Sequence, residues 1–325
     1  MPKSQFLDDC ANAGRGLLMG AADIIPGVSG GTVALILGIY ARLVTAISRF
    51  DVEFLGFIRR KEFSRAAAHV DLRFLIALTI GILTGIVGLA SVMHYLLTTA
   101  EARPLTLAAF FGLILASGVL VGKKVARWTA APFALLVAGA AFAFFITGLS
   151  NLSPGDPGAP YIFMCGMIGI CAMILPGISG AFILLLLGMY IHITGAIKAI
   201  YKIPSGGFTG DHFFSILVFS AGCAVGLLIF SKLLRWLLSR HESLTMAVLC
   251  GFMLGSVRKI WPFQIETTSG EVEFKLKAFE NEWPAEFNLQ VAMVLFIAAI
   301  AMASVFVLDR WSRGRSQPSN PMDGN

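Results

Sequence analysis

Two short motifs in this chain carry the residue types that bind an anion through backbone groups. Residues 24–40 read IIPGVSGGTVALILGIY, and residues 174–190 read ILPGISGAFILLLLGMY. Proline tends to end a helix, and glycine allows tight turns and close approach of a ligand. A half-helix that begins after such a break points free N–H groups and the positive end of its dipole at a ligand. The breaks are Pro26, Gly27, Pro176 and Gly177, and the candidate substrate-binding residues are Ser29, Gly30, Gly31, Thr32, Ser179 and Gly180.

An acidic residue precedes the first break and has no acidic counterpart in the second motif. Asp23 lies just before Pro26, whereas Met173 holds the equivalent position in the second copy. A carboxylate within an apolar segment is costly, which makes it a functional candidate by default. Asp23 can carry a coupling proton or cation such as sodium, or it can cap a neighbouring half-helix. The first half-helix also has Ser29 or Thr32 as a possible cap.

The elements that position these motifs are apolar. The chain of 325 residues is 57% hydrophobic and only 14% charged, and its mean hydropathy is +0.79. Apolar runs of about 20 residues are typical of transmembrane helices. The sequence therefore predicts a polytopic membrane protein. The apolar segments are 16–47, 74–98, 105–122, 131–149, 161–197, 213–238, 243–257 and 289–308.

The duplication extends beyond the two motifs. The stretch LTLAAFFGLILAS (105–117) resembles LTMAVLCGFMLGS (244–256). Each half thus contains one long apolar segment broken by Pro-Gly, followed by three ordinary spans. We expect a first repeat over residues 1–150 and a second over residues 151–325.

Charge decides whether the broken segments cross the membrane or turn back inside it. The loop 48–73 carries six basic residues, and Lys and Arg collect on the cytoplasmic side. If both broken segments are re-entrant, this loop and the other strongly basic elements lie in the cytoplasm, whereas if both span the membrane the loop must lie outside. Three spans per half then make the second half inverted, an architecture typical of secondary transporters. We predict an all-α fold of two inverted repeats, each a re-entrant helical hairpin (16–47 and 161–197) followed by three spans, with both termini cytoplasmic.

In that arrangement the two breaks meet near the membrane midplane as paired half-sites. A simpler interpretation is that two kinked hairpins only pack against each other. Smaller elements are an amphipathic surface helix over 53–69 and a strand of an external hairpin over 271–279. GxxxG pairs, which indicate close helix packing, occur at Gly81 and Gly85, Gly118 and Gly122, Gly222 and Gly226, and Gly251 and Gly255.

At ADIIPGVSGGTVALILGIY (22–40) the chain resembles the PopT-type polyprenyl-phosphate transporters, a bacterial membrane family long described only as a domain of unknown function. The similarity includes the second motif and covers nearly the whole chain. It implies flipping of undecaprenyl phosphate, the lipid carrier of peptidoglycan and other envelope polymers, across the cytoplasmic membrane. It also implies that the motif residues and Asp23 form the site. The second copy departs from the first at Ala181 and Phe182.

Other functions remain open from the residues alone. A transporter of a small soluble anion would use the same half-helix ends. A polyprenyl-pyrophosphate phosphatase would need an arginine after the PGxS motif and a cluster of glutamates within an apolar segment, and this sequence has neither. We therefore expect no enzyme activity. No ATPase motif occurs, and the spacing of the five cysteines suggests no metal site. We expect no cofactor, and the net charge of +6 sets orientation rather than nucleic-acid binding.

Overall fold

The computed structural model describes residues 3–24, 29–149, 157–200, 207, 209–268, 277 and 279–315. The described chain is helical apart from one small β-hairpin and its connecting loops. In residues 1–150 the helices are α1 (Lys3–Asp23), α2 (Gly30–Ile36), α3 (Tyr40–Ser48), α4 (Val52–Arg59), α5 (Phe63–His69), α6 (Leu72–Thr98), α7 (Ala102–Gly122) and α8 (Ala130–Ile146).

The second half repeats much of this order. It has a helix, a seven-residue helix and a bent continuation, followed by three longer helices. Its elements are α9 (Ala159–Ile174), α10 (Gly180–Leu186), α11 (Tyr190–Ala199), α12 (Gly210–Arg240), α13 (Glu242–Ser256) with a 3₁₀ turn (Val257–Ile260), β1 (Gln264–Glu266), β2 (Phe279–Asn281) and α14 (Leu289–Arg315).

Among the described residues, five helices are long and apolar enough to cross a membrane: α6, α7, α12, α13 with its 3₁₀ turn, and α14. The count rises to seven if each bent pair, α2 with α3 and α10 with α11, is one span. The shorter α8 has 17 residues, which corresponds to about 25 Å of helix. The chain is therefore a multi-pass membrane protein. Five of the six ordinary spans predicted from the sequence correspond to α6, α7, α12, α13 and α14, and the sixth, 131–149, corresponds to the shorter apolar helix α8.

Each broken segment contains a bend that the sequence analysis did not place. Helices α2 and α3 meet at 119°, and α10 and α11 meet at 113°. Gly38 and Gly188 lie at these bends with φ values of +71° and +67°. At the first bend the N–H groups of Gly38 and Ile39 donate to the carbonyls of Leu35 and Ala34, the Schellman pattern that ends a helix at glycine. The expectation of a single break at Pro-Gly was therefore incomplete.

Two boundaries also differ from the prediction. Helix α1 begins at Lys3, not at residue 16, because its polar first turns are held at the bundle surface by the Asp9–Arg73 ion pair of 2.6 Å. The single helix predicted over 53–69 is wrong, since α4 and α5 are separated at Lys61, which has a φ of +58°.

The predicted external strand (271–279) falls mostly outside the described residues, which include only 277 and 279 of it. A hairpin is present at this place in the chain. Strand β1 pairs with β2 in antiparallel register, with Gln264 opposite Asn281 and Glu266 opposite Phe279.

Glycines bring pairs of helices into backbone contact. A Cβ on Gly81 or Gly85 of α6 would collide with the carbonyl oxygen of Ala13 or Leu17 of α1. Removing the side chain at such positions allows helix backbones to approach closely in a membrane. Because the residue numbers increase together along both helices, α1 and α6 run parallel.

The same contact recurs in three other parallel pairs. Gly222 of α12 meets the Phe163 carbonyl of α9, and Gly251 and Gly255 of α13 meet the Leu136 and Ala140 carbonyls of α8. In α7, Gly112 meets the Ala298 carbonyl of α14. The close packing predicted for GxxxG pairs is confirmed at Gly81 and Gly85, Gly222 and Gly226, and Gly251 and Gly255.

The remaining pair, Gly118 and Gly122, is different. These glycines face the side chains of Leu254, Trp128 and Cys250 rather than a neighbouring backbone. They form the floor of an open, mainly apolar groove of about 330 Å³, which Lys123 also lines.

Candidate functional site

The two repeated motifs contact each other through hydrogen bonds. The Ser29 hydroxyl lies 3.1 Å from the carbonyl oxygen of Met173 and 3.3 Å from that of Leu175. The Tyr40 hydroxyl donates to the Ile174 carbonyl at 3.2 Å. The last carbonyls of a helix have no partner within it, so hydroxyls of the first segment satisfy the C-terminal end of α9. The start of α2 therefore contacts the second break, whereas the first break, Pro26 and Gly27, lies outside the described residues, and the meeting of the two breaks near the membrane midplane stays a prediction.

A bond in the opposite direction closes the contact. The backbone N–H of Gly177 donates to Oγ1 of Thr32 at 2.8 Å, and Thr32 is fully buried. Gly177 has a φ of +83°, a conformation that favours glycine. The first motif therefore fixes the backbone of the second break.

Thr32→Val is expected to destabilise the protein by about 1–3 kcal/mol. Valine has the same shape as threonine but no hydroxyl, so the buried Gly177 N–H would lose its acceptor. Thermal unfolding in detergent measures this change. Thr84→Val is the matched control, since the exposed Thr84 hydroxyl bonds only to Ile80 within its own helix. Equal melting temperatures for the two variants would contradict the anchoring role of Thr32.

The N–H groups at the start of α2 are not free, contrary to the expectation. Ser29 caps the helix by accepting from the Gly31 N–H at 3.1 Å. The Gly30 N–H donates to the carboxylate of Asp23 at 2.6 Å. Of the two roles open for Asp23, the structure displays the capping contact. Because a carboxylate already occupies this position, a second anion could take the Gly30 N–H only by displacing Asp23.

The second motif is not chemically equal to the first. Ser179 precedes α10, but its side chain makes no capping hydrogen bond, so the second motif does not repeat the cap that Ser29 forms in the first. A Cβ on Gly180 would lie 2.7 Å from the Gly169 carbonyl, and a Cβ on Gly31 would lie 2.5 Å from the Ile174 carbonyl. Both glycines are thus needed for close backbone packing. Pro176 and Gly177 lie buried in the second break, whereas Pro26 and Gly27 lie outside the described residues.

Sequence reasoning missed two residues beside the motifs. One is Tyr40, although a tyrosine occupies the equivalent position 190. The other is Lys259, whose Nζ lies 4.6 Å from the centre of the Phe182 ring. Phe182 occupies the position equivalent to Thr32 of the first motif. The first motif therefore has a hydroxyl at this position, and the second has an aromatic ring. The only hint in the sequence was that Lys259 follows the repeated stretch 244–256.

Long apolar helices, two bent helix pairs and the hydrogen bonds between the two repeated motifs define a multi-pass α-helical membrane protein. The chain belongs to the VCA0040-like family, described as undecaprenyl phosphate translocase-like, whose profile matches residues 19–275. The resemblance inferred from the two motifs is therefore confirmed.

Two curated relatives have the same name. The chain is 41% identical over 303 residues to a polyprenyl-phosphate transporter of Vibrio cholerae serotype O1, covering 89% of this chain and 92% of the relative. It is 31% identical over 264 residues to a polyprenyl-phosphate transporter of Staphylococcus aureus, covering 76% of this chain and 84% of the relative. No solved structure matched the chain.

Proposed function

We propose that this protein transports a polyprenyl phosphate, and specifically that it flips undecaprenyl phosphate across the bacterial cytoplasmic membrane so that this carrier of envelope polymers, peptidoglycan among them, is recycled. The names of the two relatives and of the family support the substrate class. They also favour a transporter over an enzyme and over a carrier of small soluble anions.

The observation that carries the proposal is the hydrogen-bonded contact between the start of α2 and the second break. Buried hydroxyls of Ser29 and Thr32 join backbone groups of Met173, Leu175 and Gly177 inside a bundle of apolar helices. Polar, irregular backbone is tolerated at membrane depth only where protein or a water-filled cavity satisfies it. A contact of this kind is suited to a polar headgroup that must pass through an apolar layer.

Helix directions support the proposed inverted repeats. Helices α8 and α13 run parallel and begin at the same end of the bundle, where the Ala126 N–H donates to the Ser243 hydroxyl at 3.0 Å. Helix α12 ends at this same end, because only His241 separates it from α13. Tracing back from α8 through α7, helix α6 begins there. Helix α6 therefore starts at the end where α12 ends, so the two helices run in opposite directions. Their parallel partners, α1 and α9, are likewise opposite to each other.

Charge supports the orientation. The end of the bundle where α6 begins carries the basic loop 48–73, residues 123–127 and the end of α12, while the β-hairpin lies at the other end. By the positive-inside rule the first end faces the cytoplasm. Both termini are then cytoplasmic, the hairpin is external, and each bent pair is re-entrant.

In the proposed mechanism the phosphate headgroup is bound at the contact between the motifs, while the prenyl tail stays in lipid. The apolar groove at Gly118 and Gly122 offers a lateral surface for such a tail. Two inverted halves open the site alternately to each face. The binding residues are Ser29, Gly30, Gly31, Thr32, Ser179 and Gly180.

Asp23 is the proposed coupling group. A proton or a sodium ion that neutralises its carboxylate weakens the hydrogen bond from the Gly30 N–H, since charged acceptors bind more strongly than neutral ones. The freed N–H can then donate to the phosphate. A gradient of either ion would drive exchange between the two anions without a cofactor.

Translocation in proteoliposomes tests the proposal. Purified protein is reconstituted with fluorescent undecaprenyl phosphate, and leaflet accessibility is followed with and without a pH or sodium gradient. Protein-dependent flipping without release of inorganic phosphate is the expected result. Phosphate release from the pyrophosphate form would instead indicate a phosphatase. Uptake of small anions without lipid flipping would indicate a small-anion transporter.

A further inference from the structure

Two adjacent cations at the hairpin end of the bundle have no carboxylate partner among the described residues. Lys259 and Arg258 lie in the 3₁₀ turn that follows α13. The ion pairs of the described chain lie elsewhere, and the nearby Glu266 is paired with Lys277 at 2.7 Å. Adjacent like charges repel each other, and burying an unpaired charge is costly. Such a pair is suited to binding an anion from outside the chain.

Aromatic rings hold both cations in place instead. The Nζ of Lys259 lies 4.6 Å from the centre of the Phe182 ring, and the guanidinium carbon of Arg258 lies 4.5 Å from that of Phe144. Arg258 also reaches the Phe144 carbonyl at 3.5 Å. A cation–π contact offsets part of the desolvation cost but leaves the positive charge uncompensated.

Space for Arg258 depends on one glycine. A Cβ on Gly148 would lie 2.5 Å from a guanidinium nitrogen of Arg258. Lys259 is half-buried and Arg258 is exposed. An anion arriving from the hairpin end therefore meets the arginine first and the lysine next.

The position of Phe182 links this pair of cations to the site between the motifs. Phe182 is the third residue of α10 and is buried in the core beside Ile178 of the second break. Helix α13 touches the same break, since a Cβ on Gly177 would lie 2.7 Å from the Phe252 carbonyl. The continuous segment of α13 and its 3₁₀ turn therefore both contacts the second break and carries the two cations.

We propose that Lys259, assisted by Arg258, binds the phosphate monoester headgroup at the hairpin end of the bundle before it enters the contact between the motifs. The inference rests on the proposed function and adds to it the cationic residues that receive the headgroup. Arginine offers a fork of donors to phosphate oxygens and lysine a compact charge, so together they neutralise a phosphate.

Binding to the purified full-length protein in detergent tests this role by calorimetry. The probes are farnesyl phosphate, farnesol and inorganic phosphate. Lys259→Gln is expected to weaken binding of farnesyl phosphate at least tenfold and to leave farnesol binding unchanged, while Lys259→Arg stays within about threefold of the unaltered protein. Arg258→Gln is expected to weaken it about threefold. Lys232→Gln, which changes an exposed lysine on α12, is the matched control.

Thermal unfolding separates this role from a structural one. Lys259→Gln removes a charge that has no carboxylate partner in the part of the chain that the structure describes, so we expect an unchanged or higher melting temperature. A lowered melting temperature with unchanged affinity would make Lys259 a structural residue and overturn the proposal. Should Lys259→Gln fail to fold, equal affinity of Arg258→Gln and the unaltered protein would also overturn it.

The remaining outcomes identify the source of the phosphate and separate the two proposals. Competition by inorganic phosphate at similar affinity would assign the pair to soluble phosphate, whereas weak competition supports the lipid headgroup. If Lys259→Gln flips lipid at the unaltered rate and binds it with unaltered affinity, Lys259 does not bind the headgroup, and the proposed function still holds. Failure of the unaltered protein to bind or flip a prenyl phosphate would overturn both.

Discussion

Asp23→Asn is expected to lower the flipping rate of polyprenyl phosphate at least tenfold while the amount of folded protein in the membrane stays the same. Asparagine has nearly the same shape and keeps an oxygen that can accept from the Gly30 N–H, now 2.6 Å from the carboxylate. It cannot take up a proton or attract sodium by charge. The exchange between the carboxylate and the phosphate would lose its driving step, as expected of a functional acid at membrane depth.

The measurement is leaflet accessibility in proteoliposomes with matched protein content. Asp51→Asn is the control, because Asp51 also caps a helix, accepting from the Phe54 N–H at 3.0 Å, but lies on the connecting segment before α4. We expect this variant to flip lipid at the unaltered rate. A loss of transport in Asp23→Asn proportional to a loss of protein would leave Asp23 as a structural cap.

Gly177→Ala is expected to destabilise the protein by about 3 kcal/mol or more, the largest effect of adding a single methyl group at the site. The φ of +83° by itself costs an alanine about 1–2 kcal/mol. The new Cβ would also lie 2.7 Å from the Phe252 carbonyl and 2.9 Å from the Met253 Cα, both of which are backbone atoms that cannot rotate away.

Gly38→Ala separates these two causes. Gly38 has a φ of +71°, but nothing lies within 4 Å of the position its Cβ would take. We expect about 1–2 kcal/mol from the backbone conformation alone. Unfolding in detergent with increasing denaturant compares the two variants. Equal losses would show that the break can move away from α13, and that the contact at Gly177 is not tight.

Most of what could be predicted about the site from the sequence came from the repeated motif. A polar break within apolar sequence needs a partner, so two copies of PGxSG predicted two segments that meet. The bends at Gly38 and Gly188 were missed, although both glycines occupy matching positions and glycine commonly follows a helix end.

The partners of individual polar groups could not be predicted, because they depend on distances that only the fold determines. Thr32 accepts from Gly177, a residue far along the chain, and Asp23 rather than a ligand occupies the Gly30 N–H. In the sequence, Lys259 is one of several basic residues at the end of a span, and only the fold shows its contact with Phe182. The lack of a capping bond at Ser179 has no sequence signal, since both motifs place serine at the same position.

The glycine-to-carbonyl contacts also determine which parts of this protein can move. Where Gly81 and Gly85 touch the backbone of α1, and Gly251 and Gly255 touch that of α8, sliding one helix along the other would drive a carbonyl into the next side chain. Each such pair of helices is therefore expected to move as one rigid unit. In the proposed mechanism, exposing the site to alternate faces would then tilt these helix pairs against each other as units, with the bends at Gly38 and Gly188 as pivots.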